Sequence, residues 1–217
     1  RDALPGVFSD AAPDDWGRRL LERAYGNGLS EFEYLTLADD MCRQGALRFL
    51  DADGQVIRGN AADAVPRLVE LETITAIARA YEQGKEISAE EMQVLAGAGG
   101  SGGARPKANV RDGDALWLAK FTSVHDQRPI ERVEVATLRL ARACGIRTPE
   151  VRLELTESPF PVALIERFDR RGYAISKRFG SANDGAIFGF LDARRSPMTG
   201  TDRARAALQS IPPDCDR

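Results

Sequence analysis

The glycine-rich segment at residues 96–104 is the stretch of this sequence best suited to wrapping around an anion. Most of its residues are glycine, so its backbone is permissive and the segment is predicted to form a loop. Residues 97–102 match the spacing GxGxxG literally, but a helical pattern precedes them and a strand pattern follows, the reverse of a dinucleotide-binding unit. No Gly-Lys-Ser or Gly-Lys-Thr follows, which excludes a Walker A loop.

Lys120 lies on the strand predicted after this loop, where it could meet a phosphate. A glycine-rich loop that leads into a strand hairpin, with a lysine on a following strand, is how protein kinases cover the phosphates of ATP. Alternation along the strand puts Leu116, Leu118 and Lys120 on one face. An unpaired buried ammonium is very costly, so this lysine must find an anion or reach water. A lysine that simply extends into solvent at the end of the strand is the alternative.

An acidic residue on the next helix could hold that lysine in place. Glu134 lies in the first turns of a helix predicted at residues 131–144, between its apolar face and solvent. Glu131 is the competing choice, and either residue could also be an ordinary surface acid. The predicted apolar face consists of Val133, Ala136, Leu140, Ala141 and Cys144.

Capping signals and apolar periodicity predict a mainly helical front portion. Asp14 or Asp15 is expected to accept hydrogen bonds from the first turn of a helix, and Ser30 and Ser88 each begin a Ser-x-x-Glu capping box. The predicted helices cover residues 15–25, 30–41, 64–84 and 88–95, and a short strand is predicted at 45–50.

After residue 97 the pattern changes to strands around one helix. A hairpin is predicted from 107–110 and 116–121, and two further strands at 151–155 and 162–168. With the helix at 131–144, these elements predict a small antiparallel sheet with one helix laid on it. The predicted fold class is therefore α+β.

Composition excludes several classes of function. The 217 residues are 43% hydrophobic and 29% charged with a formal net charge of −3, as in soluble globular proteins. No basic stripe stands out, so direct nucleic-acid binding is not expected. His125 is the sole histidine, which argues against Ser-His-Asp triads, His-rich metal sites and His general bases within this chain. No apolar run reaches the roughly 20 residues that span a bilayer, so no membrane association is expected.

The cysteines favour a cytoplasmic protein. Cys42, Cys144 and Cys215 are far apart and form no CxxC pair, so neither a disulfide framework nor a zinc site is expected. The N-terminus shows no signal-peptide pattern. Since the chain begins at Arg1 rather than Met, we interpret it as a fragment.

Short motifs in a fixed order resemble the HipA family, the serine/threonine kinase toxins of bacterial toxin–antitoxin pairs. The most specific is Gly103–Ala108, which resembles that family's GARPKA signature. The others are Leu4–Phe8 with Asp15–Gly17 (LPGVF…DGWG-like), Gly45–Phe49 (GALRF-like), Trp117–Phe121 (WIAKF-like), Val133–Glu134 with Gly145–Ile146 and Pro149–Glu150, and Glu166–Arg170 (ERFDR-like). Each alone is weak, but together they cover about residues 4–172.

The resemblance implies a protein-kinase-like nucleotide-binding lobe and a role for each matching residue. The residues that would wrap the ATP phosphates are Gly102, Gly103, Ala104, Arg105 and Lys107. Lys120 would contact the phosphates from its strand, and Glu134 would position Lys120. The segment from Glu166 to Phe168 would be the hinge that offers main-chain groups to adenine.

The resemblance also implies cofactors and partners. The complete family enzyme uses ATP with Mg²⁺ to phosphorylate proteins, with an aminoacyl-tRNA synthetase (glutamyl-tRNA synthetase) as a known substrate class. A helix-turn-helix antitoxin binds it.

Departures from the family pattern suggest that this chain is inactive alone. Gly100 occupies the position of the family's self-phosphorylated serine, and Ser101, one place later, is the candidate phosphosite. We recognise no catalytic or metal-binding residue, although Asp184 and Asp192 are acids in the region where they would be sought. The predicted domains are a HipA-like front subdomain at 1–96, incomplete at its start, a kinase-like lobe at 97–172 and a divergent tail at 173–217.

The tail admits more than one interpretation. Because no resemblance is recognised after residue 172, we expect a frameshifted and disordered tail there. For the chain as a whole, the first alternative to the kinase function is a non-catalytic remnant or a module that binds an antitoxin or partner, and the second is an unrelated nucleotide-binding enzyme.

Overall fold

A computed structural model describes residues 6–45, 47–58, 65–171 and 174–175. In the described residues, helices precede a four-stranded antiparallel sheet and one further helix lies between its second and third strands, so the α+β class is confirmed. The helices are α1 (Gly6–Ser9), α2 (Asp15–Tyr25), α3 (Glu31–Leu37), α4 (Leu71–Glu82), α5 (Ala89–Ala98) and α6 (Ile130–Ala143), with a 3₁₀ turn at Leu68–Glu70. The strands are β1 (Lys107–Asp112), β2 (Ala115–Phe121), β3 (Val151–Glu154), β4 (Val162–Glu166) and the short pair β5 (Arg170–Arg171) and β6 (Ala174–Ile175). No helix in the described part of the chain is long and apolar enough to cross a membrane.

Both predicted capping boxes form at the starts of α3 and α5. The Ser30 hydroxyl accepts from the Glu33 N–H and the Glu33 carboxylate accepts from the Ser30 N–H, and Ser88 and Glu91 repeat the arrangement. Each box satisfies donors that the first helical turn leaves unpaired. The helices that follow are therefore determined locally, although α3 ends at Leu37, earlier than predicted.

The strand predicted at 45–50 does not form in the described residues 45 and 47–50. Instead, Leu50 makes an isolated antiparallel bridge to Val56. Between them the Asp51 carboxylate accepts from the N–H groups of Asp53 and Gln55, so a tight turn closes before a strand can extend. Phe49 packs near Phe8 rather than in a sheet.

The helix predicted at residues 64–84 begins later than the apolar pattern indicated. Pro66 and Arg67 run beside the far end of β1, where the Arg111 N–H donates to the Pro66 carbonyl. This pairing keeps the segment extended until the 3₁₀ turn, and α4 begins only at Leu71.

The main sheet has the strand order β1-β2-β4-β3. The predicted hairpin is confirmed, with a turn at Gly113, and its register pairs Lys107 with Lys120 and Asn109 with Leu118. Alternation along β1 and β2 puts these four side chains on the sheet face that α6 covers.

The opposite face of the sheet forms the main core with the front helices. This core includes Trp16 and Leu20 of α2, Ile74 of α4, Leu95 of α5, and the sheet residues Val110, Trp117, Phe121 and Leu164. The front portion is thereby packed directly on the back of the sheet.

The prediction of which face of α6 is buried is wrong. Val133 and Leu140 are 54% and 66% exposed, whereas Glu131 and Val135 are each 2% exposed. Val135 packs with Val151 and Ala163 of the sheet. The helix is rotated so that its two glutamates face cations, a pairing that apolar periodicity cannot register.

Candidate phosphate-binding site

Lys107 is a buried lysine at the start of β1. It is only 3% exposed, and its Nζ has no hydrogen-bond partner among the described residues. Burial lowers the pKa of Lys107 to about 8, and the charge of Lys120 lowers it as well. A buried ammonium is expensive unless it is paired, and the fold supplies this amine with no hydrogen-bonded partner among the described residues.

The glycine loop closes over this amine. Gly103 has a φ of +103°, and a Cβ atom there would lie 2.9 Å from Lys107 Nζ. A Cβ at Gly102 would lie 2.6 Å from Gln44 Oε1 and 2.9 Å from Asp14 Oδ2. At both positions glycine leaves room for the side-chain groups that approach the loop.

Helix α2 fastens the loop from the front portion of the chain. The Trp16 indole Nε1 donates to the Lys107 carbonyl at 2.7 Å, and the Trp16 N–H donates to the Gly103 carbonyl at 3.3 Å. Asp14 is the N-cap residue of α2, but its carboxylate makes no capping hydrogen bond. It instead accepts from the Gly103 N–H at 2.6 Å, which corrects the predicted capping role.

Lys120 and Glu134 form an ion pair across the space between β2 and α6. Lys120 Nζ lies 2.5 Å from Glu134 Oε1, and both side chains are partly exposed. Of the two glutamates left open by the sequence, Glu134 is therefore the one beside Lys120. Its role toward ATP stays a prediction.

Glu131 belongs to a separate cluster with Arg105. It accepts from the Thr122 hydroxyl at 2.8 Å and from Arg105 at 3.2 Å. Arg105 also forms a two-pronged pair with Asp126 at 3.0 and 2.5 Å, which raises the pKa of Arg105 above its usual range. The guanidinium is thus engaged by two carboxylates, and its predicted phosphate contact would require it to leave them.

Arg167 connects the predicted hinge to the glycine loop. Its guanidinium donates to the Met41, Cys42 and Arg43 carbonyls, to Asn109 Oδ1 at 2.9 Å and to the Asp169 carboxylate. Asn109 in turn donates to the Ala98 carbonyl and to the Ser101 hydroxyl, both at 2.9 Å. One arginine therefore joins the hinge, the loop and the segment at 41–43.

Ser101 is held inside this network. It is buried, and its hydroxyl lies 3.4 Å from the Cys42 carbonyl and within hydrogen-bond distance of Asn109. To serve as a phosphosite it would have to leave these contacts.

The hinge segment continues the sheet. The Glu166 N–H donates to the Glu150 carbonyl and the Arg167 N–H donates to the Leu116 carbonyl, so these two donors are used within the fold. Phe168 follows with its side chain 67% exposed. The predicted adenine contacts of this segment stay a prediction, and these two N–H groups are not free to make them.

Lys107, Lys120, Glu134 and the loop at 102–104 are brought together, while Arg105 is turned toward Asp126. Sequence reasoning missed the loop contact of Asp14 and the contacts of Asn109. Arg167 lies within a recognised motif, but nothing in the sequence indicated that it joins the hinge segment to the glycine loop. Asp184 and Asp192 lie outside the described residues. Among the described residues, no group of three or more His, Cys, Asp or Glu side chains could hold a metal ion.

Residues 99–200 match the family model of the HipA-like C-terminal domain, just under half of the chain. The match includes the glycine loop from residue 99 onward, both lysines, Glu134 and the hinge segment. It also extends past residue 172, so the expectation that resemblance stops there is wrong, and the frameshift interpretation loses its basis up to residue 200. No curated protein and no solved structure was found to match the chain.

Proposed function

From the premise that this chain is a HipA-like family member, we propose that it binds the phosphates of ATP as the nucleotide-gripping part of a protein serine/threonine kinase. The observation that carries this proposal is the buried amine of Lys107, which lies under the glycine loop without a partner among the described residues. An anion that entered beneath the loop would supply the missing partner.

Phosphate fits this position for two reasons. Lys107 and Lys120 are direct partners in the register of β1 and β2, and like charges placed opposite each other destabilise a strand pair. A multiply charged anion between the amines would convert this repulsion into attraction. Glycines at the loop also let main-chain N–H groups approach such an anion.

Each residue would then have a distinct task. Lys107 would neutralise the phosphates from below the loop. Lys120, held by Glu134 at 2.5 Å, would approach them from β2. The hinge at 166–168 would bind adenine, and Mg²⁺ would supply further neutralisation of the phosphates in the complete enzyme.

Calorimetric titration with ATP, AMP and adenosine tests this proposal. ATP should bind more tightly than AMP, and adenosine weakest, because the site holds phosphate. Lys107→Met keeps the apolar stem of the side chain but removes its charge, and should weaken ATP binding about tenfold or more. Lys85→Met, at an exposed position, is the matched control. Equal ATP affinity for Lys107→Met and the unmodified protein would overturn the assignment.

The family partners are part of the proposal. We propose a helix-turn-helix antitoxin and a protein substrate, such as an aminoacyl-tRNA synthetase, as the binding partners, with action in the cytoplasm. A small helix-turn-helix gene beside the coding gene, and copurification of its product with this chain, would support the antitoxin. A purified candidate that shows no binding would count against it.

A further inference from the structure

The carboxylate of Asp14 already occupies the edge of the proposed phosphate site. Its Oδ2 accepts from the Gly103 N–H at 2.6 Å, a short hydrogen bond to a charged acceptor. The same oxygen would lie 2.9 Å from a Cβ at Gly102, so it sits against two successive loop residues. The charge of Asp14 also acts on Lys107 from this position.

This arrangement matches what a phosphate oxygen would form at the loop: an anionic oxygen on a glycine-loop N–H beside a buried ammonium. A phosphate group that used the Gly103 N–H would meet the carboxylate in the same place. Two anionic oxygens at one donor repel each other, so both cannot remain there.

We infer that Asp14 is an internal anion that holds the loop in the absence of nucleotide and must be displaced when phosphates bind. The inference rests on the proposed function, because it assigns the loop N–H to a phosphate. It adds a competitor within the chain, which would make the apparent nucleotide affinity lower than the site alone would give.

The surroundings of Asp14 allow this displacement without unfolding the front portion. Asp14 is exposed, so its carboxylate can turn toward water. The next anchor, Trp16, is fully buried and keeps its indole bond to the Lys107 carbonyl. The loop would therefore stay attached to α2 through Trp16 while the Asp14 contact is exchanged for phosphate.

Substitution of Asp14 tests the inference in the intact chain. Asp14→Asn keeps the size of the side chain and an oxygen that can accept from Gly103, but it removes the charge. We expect ATP to bind about tenfold more tightly to this variant, the effect of weakening one hydrogen bond to a charged group. Asp15→Asn, an equal change of charge at an exposed neighbour in α2, should leave affinity within about twofold.

The outcomes separate the inference from the proposed function. If Asp14→Asn binds ATP equally or more weakly while Lys107→Met loses binding, Asp14 supports the loop rather than competes, and the inference is wrong. If neither the unmodified protein nor any of the variants binds ATP at millimolar concentration, the proposed function fails and the inference fails with it. Thermal unfolding of each variant guards against loss of fold, and Asp14→Ala should repeat the gain if charge is responsible.

Discussion

Lys107 and Lys120 face the same side of the sheet as direct partners across β1 and β2, yet only Lys120 has a described carboxylate in contact, Glu134 at 2.5 Å. Lys107 is buried beneath the glycine loop. Lys120 thus has a contacting carboxylate and Lys107 Nζ has no hydrogen-bonded partner among the described residues, and this asymmetry underlies the predictions that follow.

ATP affinity should fall as the pH rises through about 8. The pKa of Lys107 is lowered from 10.5 to about 8 by burial and by Lys120, and a phosphate binds the protonated amine. Affinity is therefore full below pH 8 and declines above it, and titrations at pH 7 and 9 should differ several-fold. Lys107→Met should flatten this dependence. A pH dependence that survives in the variant would assign the effect to another group.

The same shift predicts a change in stability without nucleotide. The fold favours the uncharged amine, and the unfolded chain binds the proton more tightly. The charged Lys107 should therefore destabilise the fold in full below pH 8, and this penalty should be relieved as the pH rises from about 8 to 10.5, so the free energy of unfolding should increase across that window. Chemical denaturation of the unmodified protein and of Lys107→Met across this window measures the difference.

Gly103→Ala should abolish ATP binding, whereas it should lower stability only as much as the same substitution at a similarly strained glycine elsewhere. The φ of +103° strains any L-residue by about 1–2 kcal/mol, and the new Cβ would lie 2.9 Å from Lys107 Nζ and displace it. Gly26→Ala is a matched control, because Gly26 has the same φ of +103° but no atom within 4 Å of its Cβ position. Both should lose similar stability, and only Gly103→Ala should lose binding. Equal binding by the two variants would show that the loop does not depend on this approach.

Glu134→Gln should weaken ATP binding about tenfold through release of Lys120. Its stability should change by less than about 1 kcal/mol, since the pair is partly exposed. Glu150→Gln, which breaks an exposed pair with Arg142, serves as the control and should leave binding unchanged. Unaltered binding by Glu134→Gln would remove the positioning role.

Arg167→Met should lower the free energy of unfolding by about 3–5 kcal/mol, because a buried charged network loses its central donor. Arg67→Met breaks an exposed pair with Glu70 and should change stability by no more than about 1 kcal/mol. Urea denaturation of both variants gives the comparison. Similar small losses would mean that the hinge and loop are held together by other contacts.

The isolated chain should not transfer phosphate at a useful rate. Lys107, Lys120 and Glu134 would position ATP, whereas the transfer also needs an acid to orient the attacking hydroxyl, whose loss typically lowers rates about 10²- to 10⁴-fold. Purified protein incubated with γ-labelled ATP, Mg²⁺ and a mixed bacterial extract measures this. Label transfer that disappears on Lys120→Ala would contradict the prediction and direct attention to Asp184 or Asp192.

Elements with local signals could be predicted from the sequence. The capping boxes at Ser30 and Ser88 and the hairpin turn at Gly113 depend on neighbouring residues, and each lies where it was predicted. The motif at residues 103–108 resembles the HipA family, and residues 99–200 match the family model of the HipA-like C-terminal domain.

Features that depend on distant residues were decided by the tertiary structure. The rotation of α6 that turns Glu134 toward Lys120 requires the sheet, because its apolar residues alone favour the other face. The sequence predicts Asp14 as a helix cap, but its carboxylate accepts a hydrogen bond from the Gly103 N–H, and only folding brings these two residues together. Sequence periodicity reports which neighbours along the chain share a face, whereas the partner of a charge is set by whichever opposite charge or N–H the packed fold brings within reach.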